Sequence, residues 1–475
     1  MKKDYKLPSL KDARRRDKES SEKLSFSLDS RYEGLGENKR YHIITHGCQA
    51  NQRDSETMAG LLDAMGYTMA KDEKDADVII INTCAVRQGA EEKVLGEVGA
   101  LKRLKNLKPD LIIAIGGCMA QEEESVRTIM EKYRQVDIIF GTHNITSLPK
   151  LLYEVTTTRT RRIEVFSKMG EIVESVPVTR FMSHKAWVNI MYGCDKFCSY
   201  CIVPYTRGKE RSRQKEDIIS EVEELVRQGY KEVCLLGQNV NAYGKDLKID
   251  YTFGHLLNDV AKTGIARIRF MTSHPWDFDD TMIEAIRNNP NIMPYIHLPI
   301  QSGNTQILKK MNRRYSREEY FALFDKLREE LPGFAFTTDI IVGFPNESDE
   351  AFEDTLSAVD HCRYDNAFTF IYSKREGTPA AAMEDSIDRK TKEERLRRLN
   401  EKVAFYANQN NQRFKDQIVE VLVDGLSKRN SNVYSGYTPE NKLVNFTGED
   451  IRTGDLVKVK ITEVMSFSLN GVKVD

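Results

Sequence analysis

The sequence predicts a multidomain α/β protein with a parallel α/β domain, an incomplete (β/α)6 barrel and a small C-terminal β-barrel. Strand-like apolar runs alternate with helical stretches over most of the chain, which is typical of parallel sheets with helices on their faces. Residues 415–475 instead contain short alternating strands separated by Gly, Asn and Asp turns, a pattern that indicates a small β-barrel.

The composition is that of a globular protein with several packed domains, since 40% of the 475 residues are hydrophobic and 30% are charged. Lys and Arg number 71 and Asp and Glu 72, so no global field attracts nucleic acid. No apolar run approaches the ~20 residues of a membrane span, and we expect a cytoplasmic protein without membrane contact. Eight cysteines in such a chain indicate metal binding, redox chemistry or core thiols rather than disulfides.

Shifts in composition divide the chain into six segments. The first is rich in charge and poor in large apolar side chains, which is typical of disorder or of an arm on the surface. The predicted segments are a disordered or surface arm (1–40), an N-terminal domain (41–155), a polar linker (156–185), the barrel domain (186–388), a connecting helix (389–414) and the small β-barrel (415–475).

Three strand-like runs of the N-terminal domain each end in a cysteine: YHIITHGC, DVIIINTC and LIIAIGGC. The cysteines are Cys48, Cys84 and Cys118, separated by about one βαβ unit each. The C-terminal ends of parallel strands line one edge of a sheet, where ligands bind. We therefore expect these three thiols at a common edge, although separate buried cysteines would also fit the pattern.

The barrel domain contains six strand candidates with amphipathic helical stretches between them. The strands are predicted at 187–192, 232–237, 266–272, 294–300, 335–343 and 366–373. The sequence GCDKFCSYC follows the first strand directly, at the end where barrels of this kind place their active sites.

Cys194, Cys198 and Cys201 in that loop supply three ligands, one fewer than a closed zinc site or a fully ligated iron–sulfur cluster requires. A zinc knuckle would need a fourth Cys or His, and the nearest candidate before the motif, His184, lies ten residues upstream of Cys194. Three unrelated core thiols are the other alternative. The missing ligand favours a 4Fe–4S cluster with one iron open to a ligand from solution.

The C-x3-C-x2-C spacing before a βα barrel resembles the radical S-adenosylmethionine (SAM) superfamily. The resemblance implies that the open iron binds the amino and carboxylate groups of SAM. It also implies that Tyr200 contacts the adenine and that Gly237 and Gln238 bind the amino group, with Gln238 in place of the usual glutamate. The segment that contains Gln301 and Ser302 would lie at the SAM ribose and carboxylate.

The repeated position of Cys48, Cys84 and Cys118 favours a second 4Fe–4S cluster, also with an open iron. Cys234 lies within a predicted strand and Cys362 on a predicted helix, so we interpret both as core thiols. Two such clusters and a β-barrel tail resemble the radical SAM methylthiotransferase family over about residues 40–475. The motifs are THGCQANQRDSE, NTCAVR, GGCMAQ, GCDKFCSYCIVPYTRGKERSR and YSKREGTPAA.

This resemblance implies a flavodoxin-like parallel α/β domain, a radical SAM barrel and a C-terminal TRAM domain, an RNA-binding module. It further implies that SAM yields a deoxyadenosyl radical, that the auxiliary cluster supplies sulfur and that a second SAM supplies a methyl group. The stretches LLGQNVNAYG and RFMTSHPWDF resemble the subgroup that modifies C2 of N6-isopentenyladenosine in tRNA. Threonylcarbamoyl-adenosine in tRNA, a ribosomal-protein aspartate and a non-enzymatic iron–sulfur redox sensor that binds RNA are the alternatives.

A basic run, RGKERSRQK, follows the C-x3-C-x2-C loop. We expect its cations to position tRNA phosphates near the anticodon stem-loop, unless they pair with carboxylates of the protein. The predicted phosphate ligands are Arg207, Lys209, Arg211 and Arg213. The other expected partner is a low-potential electron donor such as flavodoxin or ferredoxin, and we expect a monomer.

Overall fold

The computed structural model describes residues 23–85, 88–166, 172–428 and 430–474. The chain folds as two compact units. The first contains the described residues up to 181 together with 191–197 and 201–213, and the second contains the rest of the chain. Of the arm predicted at 1–40, residues 1–22 lie outside the described residues.

Eleven strands and five α-helices occur among the described residues up to 213. The strands are β1 (Lys23–Ser25), β2 (Arg40–Thr45), β3 (Thr68–Met69), β4 (Val78–Thr83), β5 (Ile112–Gly117), β6 (Ile138–Phe140), β7 (Arg162–Glu164), β8 (Ile172–Glu174), β9 (Lys185–Asn189), β10 (Met191–Tyr192) and β11 (Arg211–Ser212). The helices are α1 (Gln49–Ala64), α2 (Gln88–Leu107), α3 (Glu123–Lys132), α4 (Leu148–Thr158) and α5 (Val203–Thr206).

The first unit is built on a six-stranded parallel sheet in the order β3-β2-β4-β5-β6-β7. This is the flavodoxin-like order extended by one strand, and it confirms the predicted fold. Strands β4 and β5 are fully buried. Alternate residues of β4 enter different cores, with Val78 and Ile80 in one and Ile79 and Ile81 in the other, because successive side chains of a strand point to opposite faces.

Short strands extend this unit into segments that the sequence analysis assigned to the arm and the linker. Strand β7 pairs with β6 at the sheet edge, and β1 pairs in parallel with β8. Phe26 and Leu28 pack against a hydrophobic core of this unit. Strands of three residues carry too little periodicity to be recognised in a sequence.

From residue 214 to residue 411, the second unit contains five further barrel strands and seven α-helices, the last of which is long. Its α-helices are α6 (Lys215–Arg227), α7 (Phe253–Ala261), α8 (Asp280–Asn288), α9 (Thr305–Lys310), α10 (Arg317–Glu330), α11 (Asp349–Cys362) and α12 (Arg389–Asn411). Its further barrel strands are β12 (Glu232–Leu236), β13 (Arg267–Phe270), β14 (Tyr295–His297), β15 (Ala335–Val342) and β16 (Asn366–Ile371). Among the described residues, no helix is both long and apolar enough to cross a bilayer.

The six parallel barrel strands form two three-stranded sheets, ordered β13-β12-β9 and β14-β15-β16. A single bridge between Ile268 and Ile292 lies between the two sheets. This arrangement confirms the predicted incomplete (β/α)6 barrel, whose functional end is the one at the strand C-termini.

The C-terminal residues form a closed five-stranded barrel in the order β17-β18-β19-β21-β20, as predicted. Its strands are β17 (Ile418–Ser427), β18 (Asn430–Tyr437), β19 (Leu443–Thr447), β20 (Leu456–Val464) and β21 (Leu469–Val474). Its interior is apolar, with Val421, Val459 and Ile461 among the fully buried residues.

Two buried arginines of β13 join the small barrel to the larger one. Arg267, the first residue of β13, donates to the carbonyl of Tyr437 at 3.0 Å and pairs with Glu420 at 2.7 Å. Arg269 donates to the carbonyls of Thr438 and Pro439, both at 2.8 Å. The small barrel therefore packs at the N-terminal ends of the large-barrel strands, away from their C-termini.

Arg269 also pairs at 2.9 Å with Glu232, and both side chains are at most a tenth exposed. We predict that Arg269→Ala lowers the free energy of unfolding by about 3–5 kcal/mol, because it leaves a buried carboxylate without its counter-charge. Arg397→Ala is the control, since Arg397 forms only exposed pairs with Glu394 and Glu401 and should cost less than about 1 kcal/mol. Denaturant unfolding of both variants measures the difference, and equal losses would contradict the prediction.

Candidate active site

The three N-terminal cysteines lie at the C-terminal ends of neighbouring strands of the first unit. Cys84 and Cys118 directly follow β4 and β5, whose last residues, Thr83 and Gly117, are paired in register. Cys48 comes after β2, the other neighbour of β4. Cys84 and Cys118 are buried and Cys48 is exposed. Tertiary structure thus brings together at one sheet edge three thiols that are far apart in sequence.

A glycine with positive φ precedes three of the six cysteines that were predicted to bind clusters. Gly47, Gly117 and Gly193 have φ of +132°, +95° and +77°. A Cβ on Gly117 would lie 2.3 Å from the carbonyl oxygen of Thr83, and one on Gly193 would lie 2.0 Å from that of Lys209. Only glycine allows so close a backbone approach in these conformations. The glycines therefore set the positions of the following thiols.

Buried asparagines connect the start of α1 to the end of β4. The Asn82 amide donates to the carbonyl of Asn51 and to Oγ of Ser55, both at 2.8 Å. The Asn51 amide donates to the carbonyl of Thr83 at 3.0 Å. This network holds the first turns of α1, which follow Cys48, against the end of β4, which precedes Cys84.

Arg207, a buried arginine of the basic run after the C-x3-C-x2-C loop, contacts Cys118. Nε of Arg207 donates to Sγ of Cys118 at 3.3 Å, and Nη2 pairs with Asp54 at 2.7 Å. Phe197 and Tyr205 make an edge-to-face contact within the apolar cluster that also contains Cys118. Burial raises the pKa of the Cys118 thiol, and the charge of Arg207 opposes that shift.

Three of the four predicted phosphate ligands are buried. Arg207, Arg211 and Arg213 are 5–7% exposed. Arg213 forms two hydrogen bonds of 2.7 Å with the buried Glu174. Lys209 is the only member of the set with intermediate exposure. Guanidinium groups committed to internal carboxylates do not reach a phosphate, so the alternative of pairing within the protein describes Arg207 and Arg213.

Cys198 belongs to the second unit, whereas Cys194 and Cys201 belong to the first. Cys198 is 6% exposed, and Nη1 of Arg313 donates to its Sγ at 3.5 Å. The neighbouring Ser199 donates through Oγ to the carbonyl of Lys310 at 2.8 Å and through its backbone to that of Met311 at 2.9 Å. These bonds hold Cys198 to the segment that follows α9.

The residues predicted to bind SAM lie at or near the C-terminal ends of barrel strands, in different surroundings. Tyr200 is partly buried against an apolar cluster of the second unit. Gly237 follows β12 and accepts a bond of 2.5 Å from Thr272, and Gln238 comes next with intermediate exposure. Gln301 is 7% exposed and has a φ of +72°.

Ser302, in the segment predicted to lie at the SAM ribose and carboxylate, packs against a helix. It is fully buried, and its hydroxyl lies 3.4 Å from that of Thr355 on α11. A Cβ on the next residue, Gly303, would lie 2.5 Å from the carbonyl oxygen of Asp354. This turn is packed onto a helix, so Ser302 shapes the loop that carries Gln301.

The two stretches that suggested the substrate subgroup are joined to each other. Asn239 donates to Asp277 at 2.8 Å, and Lys245 pairs with the same carboxylate at 2.5 Å. Trp276 directly precedes Asp277 in the chain, and its side chain is 54% exposed. A large aromatic side chain is therefore presented to solvent on the loop that follows the C-terminal end of β13.

Arg313, Asp54 and the asparagines are site residues that sequence reasoning missed. Asp54 lies within the motif THGCQANQRDSE, and Arg313 lies within a basic run, KKMNRR, but nothing in the sequence shows that either is buried near a cysteine. The interpretation of Cys234 and Cys362 as core thiols agrees with the structure, since both are buried. His184, the zinc alternative, is 3.0 Å from Asp424.

The three N-terminal thiols come from the ends of three different strands. Over the described residues, no three Cys, His, Asp or Glu side chains are grouped as ligands of a single ion. Each thiolate of a 4Fe–4S cube binds its own iron, so a cube can be held by thiols that come from separate strand ends. The glycine turns and the N–H that Arg207 donates to Cys118 fit a thiolate-bound cluster at this edge.

We predict that Gly117→Ala removes iron from the N-terminal site, because a Cβ at this position collides with the Thr83 carbonyl and displaces Cys118. Gly229→Ala is the matched control, with a φ of +88° and no neighbouring atom within 4 Å of the added carbon. Iron and sulfide analysis of anaerobically purified protein should show a loss for the first variant alone. Unchanged iron in Gly117→Ala would contradict the prediction.

Three family models match successive parts of the chain. They are described as uncharacterized protein family UPF0004, over residues 40–141, the radical SAM superfamily, over 188–359, and the TRAM domain, over 412–474. Among solved structures, a radical S-adenosylmethionine methyltransferase, TsrM, from Kitasatospora setae aligns with a TM-score of 0.52 at 13% identity. That alignment covers 72% of this chain and 75% of the other, and it supports the fold alone.

Curated relatives are similar over nearly the full length. A protein of Staphylococcus epidermidis is 53% identical, with coverage of 98% of this chain and 91% of the relative. A Bacillus cereus protein is 54% identical, with coverage of 99% and 93%. Both are named tRNA-2-methylthio-N(6)-dimethylallyladenosine synthase. With these relatives and the radical SAM and TRAM matches, the chain belongs to the tRNA-2-methylthio-N(6)-dimethylallyladenosine synthase family of radical SAM methylthiotransferases.

Proposed function

We propose that this chain is a radical SAM enzyme that adds a methylthio group to C2 of N6-(dimethylallyl)adenosine beside the anticodon of tRNA. The observation that carries the proposal is the convergence of Cys48, Cys84 and Cys118 at neighbouring strand ends. This set occurs in a chain that also has the C-x3-C-x2-C loop. A substrate carbon with no leaving group or acidic proton requires more than acid–base chemistry.

Two 4Fe–4S clusters are proposed. Cys194, Cys198 and Cys201 would hold the one that binds SAM, and Cys48, Cys84 and Cys118 would hold the auxiliary one. When bound, these groups supply the electron for SAM cleavage and the sulfur for the product. The chain contributes three thiolates to each and leaves one coordination position for an exogenous ligand.

The loops at the barrel's C-terminal end are suited to orient SAM. Gln301 and Thr272 have φ of +72° and +67°, and such strained positions of non-glycine residues are concentrated at functional sites. The Thr272 hydroxyl holds the carbonyl of Gly237 and so fixes the turn that presents Gln238. Tyr200 would cover the adenine from the cysteine loop.

For tRNA, the proposal relies on exposed groups rather than on the buried arginines. Lys458 and Lys460 are exposed on β20 and alternate with buried residues of the small barrel, so they are suited to phosphates. Trp276 is suited to stack on an extruded base. A low-potential flavodoxin or ferredoxin as electron donor, a monomeric state and a cytoplasmic location complete the proposal.

Cysteine substitutions should separate the two cluster functions. In anaerobic reactions with SAM, a reductant and an isopentenylated anticodon stem-loop, we expect Cys198→Ala to abolish both SAM cleavage and methylthiolation. Cys84→Ala should retain SAM cleavage but form no methylthio product, because only the sulfur source is lost. Mass spectrometry of the RNA and chromatography of the cleaved SAM measure the two outcomes.

Cys234→Ala is the control for these variants, since Cys234 is a buried thiol within β12. It should retain both reactions. Methylthiolation by the Cys84 variant would refute the role of Cys84 in an auxiliary, sulfur-donating cluster. If the wild-type protein modified only a ribosomal protein or threonylcarbamoyl-adenosine RNA, the proposed substrate, N6-(dimethylallyl)adenosine in tRNA, would be refuted.

Replacement of Trp276 should weaken RNA binding. Base–aromatic stacking is worth ~1–3 kcal/mol, so Trp276→Ala should raise the Kd for the isopentenylated stem-loop by roughly 5- to 150-fold. Phe405 on α12 is also exposed, at 62%, and Phe405→Ala should leave the Kd unchanged. Fluorescence anisotropy with labelled RNA measures both, and an unchanged Kd for the Trp276 variant would rule out stacking.

A further inference from the structure

Two cysteines, one from each proposed cluster set, accept a hydrogen bond from a buried arginine. Arg207 Nε lies 3.3 Å from Sγ of Cys118, and Arg313 Nη1 lies 3.5 Å from Sγ of Cys198. The arginines are 7% and 5% exposed. Each pair lies within one unit of the chain.

Other contacts hold each guanidinium in place. Nη2 of Arg207 is bonded to Asp54, which is 5% exposed. Arg313 donates through Nε to the hydroxyl of Tyr315 at 2.8 Å and through Nη2 to the carbonyl of Pro299 at 2.9 Å. Because these bonds fix the planes of both groups, the N–H that points at each sulfur is preorganised.

The two arginines differ in how their charge is balanced. Asp54 offsets the charge of Arg207 within the protein. The partners of Arg313 are a phenol, a carbonyl and a thiol, and in the described part of the chain no carboxylate forms a salt bridge with it. A buried cation costs several kcal/mol unless an anion accompanies it. An anion bound at Cys198 would meet this requirement.

We propose that Arg207 and Arg313 are cluster-positioning residues that donate to a ligating thiolate, and that Arg313 also raises the reduction potential of the cluster held by Cys198. This inference rests on the proposed function, since it presupposes the two clusters. Hydrogen bonds to sulfur and nearby charge are established determinants of cluster potential. The uncompensated charge of Arg313 favours the reduced, more negative cluster, whereas the Arg207–Asp54 pair has little net charge.

The test is an EPR-monitored redox titration of anaerobically reconstituted protein. The Cys84→Ala background leaves the cluster of the C-x3-C-x2-C loop as the only one observed. In this background, Arg313→Gln should shift the equilibrium between reduced and oxidised cluster at least tenfold toward the oxidised form. This shift lowers the reduction potential by ~59 mV for a one-electron couple. Arg313→Lys, which retains the charge, should restore most of the shift. Arg207→Gln in the Cys198→Ala background should shift the auxiliary cluster less.

Arg395→Gln controls for the loss of a buried arginine. Arg395 pairs with Glu347 and Asp349 and, among the described residues, forms no hydrogen bond with a cysteine, so this variant should lose stability without any shift in potential. If Arg313→Gln does not fold, Tyr315→Phe, which removes the hydroxyl that accepts from Nε, should give a smaller shift of the same sign.

The outcomes distinguish this inference from the proposed function. Unchanged potentials in Arg313→Gln, or in Tyr315→Phe if the first variant does not fold, would overturn the inference while wild-type methylthiolation still stands. Equal shifts in the Arg207 and Arg313 variants would overturn the charge argument. Wild-type protein that holds no iron–sulfur cluster after reconstitution would overturn the proposed function itself.

Discussion

The geometry of the candidate site depends on the close approach of glycine backbones to neighbouring chain segments. Gly117 lies against Thr83, and Gly193 lies against Lys209, at distances that a Cβ would forbid. Each glycine immediately precedes a cysteine, so the direction in which the thiol leaves the backbone is set by a turn that only glycine can make. The parallel sheet brings the N-terminal cysteines to the same place, because it aligns the C-terminal ends of its strands along one edge.

Buried ion pairs hold the loops around this edge. Arg207 with Asp54 and Arg213 with Glu174 connect the basic run to other elements of the first unit. Such pairs contribute little net stability, but the loss of one partner leaves an uncompensated charge in the interior. Two arginines of the run therefore make contacts within the first unit, so its density of positive charge does not by itself indicate RNA contacts.

In the second unit, the two ends of the large barrel differ in their contacts and in their exposed residues. The N-terminal strand ends are covered by the small barrel through Arg267 and Arg269. The C-terminal ends carry the strained Gln301 and the exposed Trp276. A parallel barrel suits this division, since its C-terminal loops can vary without disturbing the strand ladder below.

The sequence by itself determined the three-part fold and predicted two sets of three cysteines, because strand periodicity, helix spacing and motif spacing are local properties of a chain. It could not determine that Arg207 and Arg213 are buried, since RGKERSRQK has the composition of a solvated loop. Burial depends on which distant segment packs against a residue, and Asp54 and Glu174 are far away in sequence. Only the tertiary structure decided that these cations face carboxylates and a thiol instead of solvent.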